Sequence, residues 1–423
     1  MKFTWFHLMP WPYMPDDFRE KHRSVWVDIP SSLYDPKRGH QVYHDYLDQL
    51  EYAEQVGFDA IGINEHHANG YGLMPSPNIM AATLTRRTSK AAIMVLGNSI
   101  ALYNPPLRVA EEFAMLDVMS GGRLCAGFPV GTSMDTNYAY GTIPALTREK
   151  YYEAHDLIMQ AWAREEPFAF NGRYTKLRWV NCWPRPIQAP RPPVFIPGGG
   201  SVETWDFCIE NDYNYSYLSF MGYLRAKALL DGYWNQVAAS GKDNSPYRAG
   251  FAQTICVADT DEEAERLYAE HVDYFYNRCL HVYPGFADAP GYRTIKTIQA
   301  GALAQMTEKE AARMASMSWK ELVEGRMVIA GSPESVRQQL EELIKGLRVG
   351  HLFCLFQIGN MPPDKVKHST KLFAEKVMPH LRDIWKDDKH ENDPRFWIRP
   401  LAERATPAPV GGQRSPAFAA GAE

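Results

Sequence analysis

Short apolar runs recur along this chain, separated by longer stretches whose apolar side chains fall three and four residues apart. Eight of the runs read as strands: Lys2–Leu8, Asp59–Ile63, Ala92–Ile100, Arg123–Phe128, Pro193–Ile196, Tyr215–Phe220, Gly250–Val257 and His351–Gln357. The stretches between them read as helices. Tyr46, Leu47, Leu50, Ala53 and Val56 predict one over Tyr43–Val56. Pro77 opens another, through Arg87, and Thr147 stands as an N-cap for one reaching Ala163. In the segment Pro105–Gly122, Pro stands at the start, Val109, Phe113, Leu116 and Met119 form a stripe, and glycine ends it. Ser332-Pro333 starts a helix late in the chain, and the last runs from about Pro363 to Trp385. Eight strands, each followed by a helix, predict an α/β fold closed into a (β/α)8 barrel.

Three insertions interrupt the pattern. One follows strand one and is rich in proline and aromatics (Pro10 to about Gly39). One precedes strand five, Phe168–Pro190, where Asn171-Gly172 signals a hairpin turn. One follows strand seven, from about 278 to 331, and reads as helix and loop. Residues 1–385 therefore read as one barrel domain. The tail, 386–423, is charged and then rich in Pro, Gly and Ala, and is expected to be disordered.

Composition narrows the function classes. The chain has 423 residues, 45% hydrophobic and 22% charged, the balance of an ordinary globular protein. A formal charge of -5 with no long basic run gives no electrostatic footprint for nucleic acid or membrane. No apolar run reaches the roughly 20 residues of a membrane span, and the first residues are too quickly polar for a signal peptide. Six scattered cysteines form neither a disulfide framework nor a zinc motif. A cytoplasmic enzyme with reduced thiols is the expectation. The 11 Trp, 23 Tyr and 19 Phe, several in loops, hint at an apolar or aromatic ligand.

The candidate chemistry lies at strand ends, where parallel α/β proteins keep it. Strand two runs into Asn64-Glu65-His66-His67. Successive side chains on an extended segment point opposite ways, so His66 is expected to face a ligand and His67 to support the loop. Strand three ends in Gly97-Asn98-Ser99-Ile100, where Asn98 offers a donor and an acceptor to a heterocycle edge. Strand four ends in Gly127-Phe-Pro-Val130-Gly131, with room for a planar ligand. Strand five ends in Gly198-Gly199-Gly200-Ser201, ahead of a helix carrying Val202, Trp205 and Ile209. Glycines before a helix N-terminus bring main-chain N–H groups to an anion, and Ser201 adds a hydroxyl. The motif lacks the lysine of a nucleotide-triphosphate loop. A phosphate-bearing planar cofactor fits these four strand ends.

Three strings carry a family likeness: Gly57-Phe-Asp-Ala-Ile-Gly-Ile-Asn-Glu-His-His67, Pro106-Leu-Arg-Val-Ala-Glu-Glu-Phe-Ala-Met-Leu-Asp-Val-Met-Ser-Gly-Gly-Arg-Leu124 and Ile329-Ala-Gly-Ser-Pro-Glu-Ser-Val336. From Met1 to about Leu381 the chain resembles the bacterial luciferase-like, flavin-dependent monooxygenases. The resemblance implies a TIM barrel, a homodimer, and FMN bound as FMNH2 at the C-terminal mouth. It implies a two-component monooxygenase: an NAD(P)H-dependent flavin reductase supplies FMNH2, and one atom of O2 enters a small organic substrate through a flavin C4a-hydroperoxide. His66 matches the active-site member of the family's His-His pair. Asn98 and Ser99 match the strand end that lies against the isoalloxazine and often holds a non-proline cis peptide. Val130 and Gly131 match the strand-four end, and Gly198, Gly199, Gly200, Ser201 and Val202 match the phosphate turn, with Trp205 after it. Pro129-Val130 and Gly198-Gly199 depart from the luciferase residues, Cys-Arg and Glu-Ser, and the first departure removes an arginine. The same barrel would also serve a deazaflavin (F420)-dependent hydride transfer. A metal-dependent hydrolase using both histidines lacks any H-x-H or H-E-x-x-H spacing. A non-catalytic flavin-binding protein is the remaining alternative.

Overall fold

The computed structural model describes residues 1–399 apart from 132, 219, 288–290 and 300–307. Its strands in chain order are β1 Lys2–Phe6, β2 Ala60–Ile63, β3 Ala92–Val95, β4 Leu124–Gly127, β5 Phe168–Asn171, β6 Lys176–Val180, β7 Val194–Gly198, β8 Asn214–Tyr217, β9 Ala249–Val257, β10 Val328–Gly331 and β11 His351–Leu355. Eight of them pair in parallel in the order β1-β2-β3-β4-β7-β8-β9-β11, and β11 returns to β1 through Lys2↔His351. This is the expected (β/α)8 barrel, and each of its eight strands falls on one of the eight apolar runs. The barrel strands are buried almost throughout, because helices cover them outside and their own side chains fill the inside.

The insertion before β7 is the expected hairpin, β5 against β6, turning at Gly172. The insertion after β9 holds a strand that the sequence reading took for helix and loop. β10 pairs with the upper half of β9, Val328↔Thr254 to Gly331↔Val257. β9 has nine residues, while β8 pairs only with Ala249 to Phe251, so the rest of that edge is open to a short apolar run.

Several boundaries move for local reasons. The helix expected from Tyr43 begins at Pro36, because the Asp35 carboxylate caps the amides of Lys37 and Arg38. The helix expected to be capped by Thr147 begins at Pro144, and Thr147 lies inside it, donating to Asn137 Oδ1 (3.4 Å). β3 stops at Val95 rather than Ile100. The chain bends at Gly97, where a Cβ would stand 2.6 Å from the Glu65 main-chain nitrogen. The final helix is broken at Pro379, with a π-helical turn Phe373–Val377 before it. In the segment expected to be a disordered tail, Phe396, Trp397 and Ile398 are buried, and Trp397 packs on His351 at the start of β11. Residues 400–423 of that expectation lie outside the described residues. No helix among the described residues is long and apolar enough to cross a membrane.

Candidate active site

The C-terminal strand ends surround a cavity of about 440 Å³. Phe6, Leu8, Leu96, Leu218, Phe220 and Met221 line its apolar side. Asn64, Glu65 and His66 enter it from the end of β2, Ser99 from β3, Val130 and Gly131 from β4, and Gly198, Gly199, Gly200 and Ser201 from β7. Eight of the ten residues singled out from the sequence therefore meet in one cavity.

The two histidines divide as expected from their alternation. His67 Nε2 bonds to Glu65 Oε1 at 2.8 Å. Glu65 in turn accepts from the Ser99 amide (2.8 Å) and the Tyr103 hydroxyl (2.9 Å), so one buried carboxylate ties the end of β2 to the end of β3. His66 Nδ1 bonds to Asp135 Oδ2 at 3.0 Å. Asp135 belongs to a short helix, Met134–Ala139, that follows β4, and its side chain is fully buried. The same oxygen accepts from Asn69 Nδ2 (2.9 Å) and the His67 amide (3.4 Å). Burial would push the Asp135 carboxyl up, but the charge and hydrogen bond of His66 outweigh it and hold it below its ordinary value. A carboxylate on Nδ1 leaves Nε2 of His66 as the ring nitrogen able to accept or deliver a proton. Trp26 lies tilted over this imidazole (centroids 5.8 Å) and Tyr71 meets it edge-on (4.6 Å).

On the β7 side of the cavity, Gly200 has φ +108°, a conformation L side chains rarely adopt, and a Cβ built on Gly199 meets nothing within 4 Å. The turn is thus an open cradle leading into the helix Val202–Asn211. Ser201 Oγ caps that helix through the Thr204 amide (3.2 Å) and accepts from Arg148 Nη2 (3.1 Å). Arg148 comes from the helix Pro144–Ala163. Its Nη2 also donates to the Tyr292 hydroxyl (2.7 Å), and its Nε is buried with no partner among the described residues. A guanidinium therefore stands at the cradle, with a donor in reserve, although Val130 occupies the place where an arginine was missed.

Two expected residues do not reach the cavity. Asn98 is fully buried with its amide turned into the wall. It exchanges hydrogen bonds with the Asn78 side chain (2.8 and 3.0 Å) and donates to Gly97 O (2.8 Å), so both its N–H donors are used within the wall. Asn64, from the end of β2, does line the cavity, and its buried Oδ1 lacks a partner among the described residues. Val202 does not line the cavity, and its amide is not bare but faces Thr297 Oγ1 at 3.4 Å. The Asn98–Ser99 peptide is not cis, and among the described residues the cis bonds all precede proline. Trp205 packs in the wall near Tyr215 and Tyr233.

Asn64 was within reach of sequence reasoning, since it sits at the same strand end as His66. Asp135 and Arg148 were not. They lie on helices far along the chain from the residues they serve, with no spacing to betray them.

The family model described as luciferase-like monooxygenase matches residues 25–349. The oxygenase component of flavin-dependent trigonelline monooxygenase from Acinetobacter baylyi is 24% identical over 363 residues, covering 83% of this chain and 93% of that one. Two solved structures share the fold. The oxygenating constituent of 3,6-diketocamphane monooxygenase from Pseudomonas putida, in complex with FMN, superposes with a TM-score of 0.66 at 19% identity, over 80% of this chain and 93% of that one. An F420-dependent secondary alcohol dehydrogenase in complex with an F420-acetone adduct gives 0.60 at 20% identity, over 81% and 96%.

Proposed function

The chain belongs to the luciferase-like monooxygenase family, and from that premise we propose that it is the oxygenase component of a two-component system using FMNH2. One atom of O2 enters a small organic substrate, and the other leaves as water with the two hydrogens of the reduced flavin. A separate NAD(P)H-dependent reductase supplies FMNH2, as the words "oxygenase component" in the relative's name suggest.

The observation that carries this reading is a single cavity lined both by a glycine–serine turn beside a guanidinium and by a carboxylate-held imidazole. The residues fit a flavin mononucleotide. Gly198, Gly199, Gly200 and Ser201 take the phosphate, with Arg148 as counter-charge through its unpartnered Nε. Ser99, Val130, Gly131 and Asn64 would flank the ring, and the Asn64 side-chain amide would offer it a polar partner. Bound there, reduced flavin supplies the electrons that activate O2. The chain does the rest. Phe6, Leu8, Leu96 and Phe220 keep water from the reacting end. His66 Nε2 holds or delivers the proton there, with Asp135 fixing the ring and its tautomer.

A homodimer fits an exposed apolar face made by two neighbouring helices, Ile79 on Pro77–Arg87 and Met115, Val118 and Met119 on Leu107–Ser120.

The test combines the protein, FMN, a flavin reductase and 18O2 with a small-molecule pool. Oxygen uptake and a product carrying one labelled atom are expected. His66→Ala is expected to lower product formation by about 100-fold or more, with FMN affinity within about 3-fold of the parent. Substrate reduction by reduced F420 supplied in place of FMN, without oxygen uptake, would move the assignment to the deazaflavin hydride transfer. Unchanged coupling of oxygen use to product in His66→Ala would remove His66 from the chemistry.

A further inference from the structure

A second cavity of about 440 Å³ lies between the insertion after β1 and the loop after β2, and it shares a single lining residue with the first: His66. Tyr34, partly exposed, lies on its wall, and the His66 side chain, 15% exposed, belongs to the walls of both cavities. Trp26 and Tyr71, which flank the imidazole, line the first cavity alone.

The walls of this second cavity are mostly apolar, and the polar groups of two of its aromatic residues are engaged. Trp11 Nε1 donates to Leu33 O (3.0 Å), and the Tyr43 hydroxyl donates to Leu73 O (2.7 Å). The rings of Trp11 and Tyr34 pack at 4.8 Å, tilted by 45°. Among the described residues no Asp, Glu, Lys or Arg lines it. An ionised group placed there would lose its hydration and meet no counter-charge, whereas a ring would find aromatic faces. The space depends on glycine: a Cβ on Gly72 would stand 3.0 Å from Leu8 O and 3.2 Å from the Cβ of His66. The cation that serves an anionic ligand, Arg148, lies at the cradle of the other cavity.

We propose that this second cavity is the entry port and recognition pocket for the organic substrate, and that it takes a neutral, apolar, ring-bearing molecule and rejects carboxylates, phosphates and sulfonates. The assignment rests on the first cavity being the flavin site. The substrate then reaches His66 by a route separate from the flavin's.

The test uses a matched pair of fluorescent probes with the flavin-free protein. N-phenyl-1-naphthylamine is neutral, and 1-anilinonaphthalene-8-sulfonate is the same ring system with a sulfonate. The neutral probe is expected to bind one to one, and the sulfonate about tenfold or more weakly. Saturating FMN leaves the neutral probe in place. Leu73→Trp, which fills the pocket, weakens the neutral probe about tenfold while FMN titrates as in the parent. Leu33→Lys, a milder change, closes or inverts the gap between the two probes. The proposal is overturned by no saturable binding of the neutral probe, by equal affinity for the sulfonate, by displacement with FMN, or by indifference to both substitutions. Failure of FMN itself to bind would count against the flavin reading instead.

Discussion

Arg148→Ala tests the anion cradle directly. The guanidinium bonds Ser201 Oγ and the Tyr292 hydroxyl, lies over the Tyr292 ring at 4.7 Å, and keeps Nε unpaired in a buried setting. A phosphate oxygen accepting from Nε makes a charge-assisted hydrogen bond, which contributes about 1.5–3 kcal/mol. Losing it weakens FMN by about 10- to 150-fold. Riboflavin has no phosphate, so its affinity is expected to change by less than about 3-fold. Titration of flavin fluorescence with both ligands reads the difference. Arg148→Lys restores the charge but not the planar fork, and falls between the parent and the alanine variant. The parent should also lose FMN affinity with added salt more steeply than the variant. Equal weakening of FMN and riboflavin would show that Arg148 shapes the wall rather than holding the phosphate, and an unchanged FMN affinity would refute the cradle.

Three further outcomes follow from the geometry. Asp135→Ala strips the acceptor from His66, Asn69 and the His67 amide, and is expected to cost about 2–4 kcal/mol of stability by denaturant melting. Asp135→Asn keeps an acceptor and is expected to fold, with kcat reduced about 10- to 100-fold and KM little changed. His155 is buried against the Tyr213 hydroxyl, and burial first, then the Arg191 cation, pushes its pKa down to about 4. The unfolded chain takes up this proton near pH 6.5 while the folded chain does not, so stability falls as pH drops from about 6.5 towards 4. The loss approaches about 3 kcal/mol at pH 4, and His155→Gln should flatten the melting temperature between pH 7 and 5. Met119→Glu, on the exposed apolar face, is expected to shift the protein from dimer to monomer by light scattering, with FMN affinity retained.

The barrel was legible because each of its strands is a local statement. A parallel strand buried on both faces tends to be a near-continuous apolar run, and β2, β3 and β4 carry that mark without reference to anything distant. The same holds for the glycine turn at 198–200 and for the division of labour between His66 and His67, which follows from the alternation of an extended chain. β10 escaped because a short apolar run flanked by helical material has no signature of its own. It became a strand only where β9 outran β8 and left an edge to pair.

Read alone, the order of residues determined the closed barrel and the ring of strand ends that forms its mouth, because periodicity and turn chemistry act between neighbours in the chain. Tertiary structure decided which polar groups face that mouth. Asn98 was spent on Asn78 and Asn64 Oδ1 was left without a partner among the described residues, while Asp135 and Arg148 arrived on separate helices to hold an imidazole and the serine that ends the glycine turn. A side chain's chemistry depends on which partners satisfy it, and those partners are brought together by barrel closure rather than by their spacing along the chain.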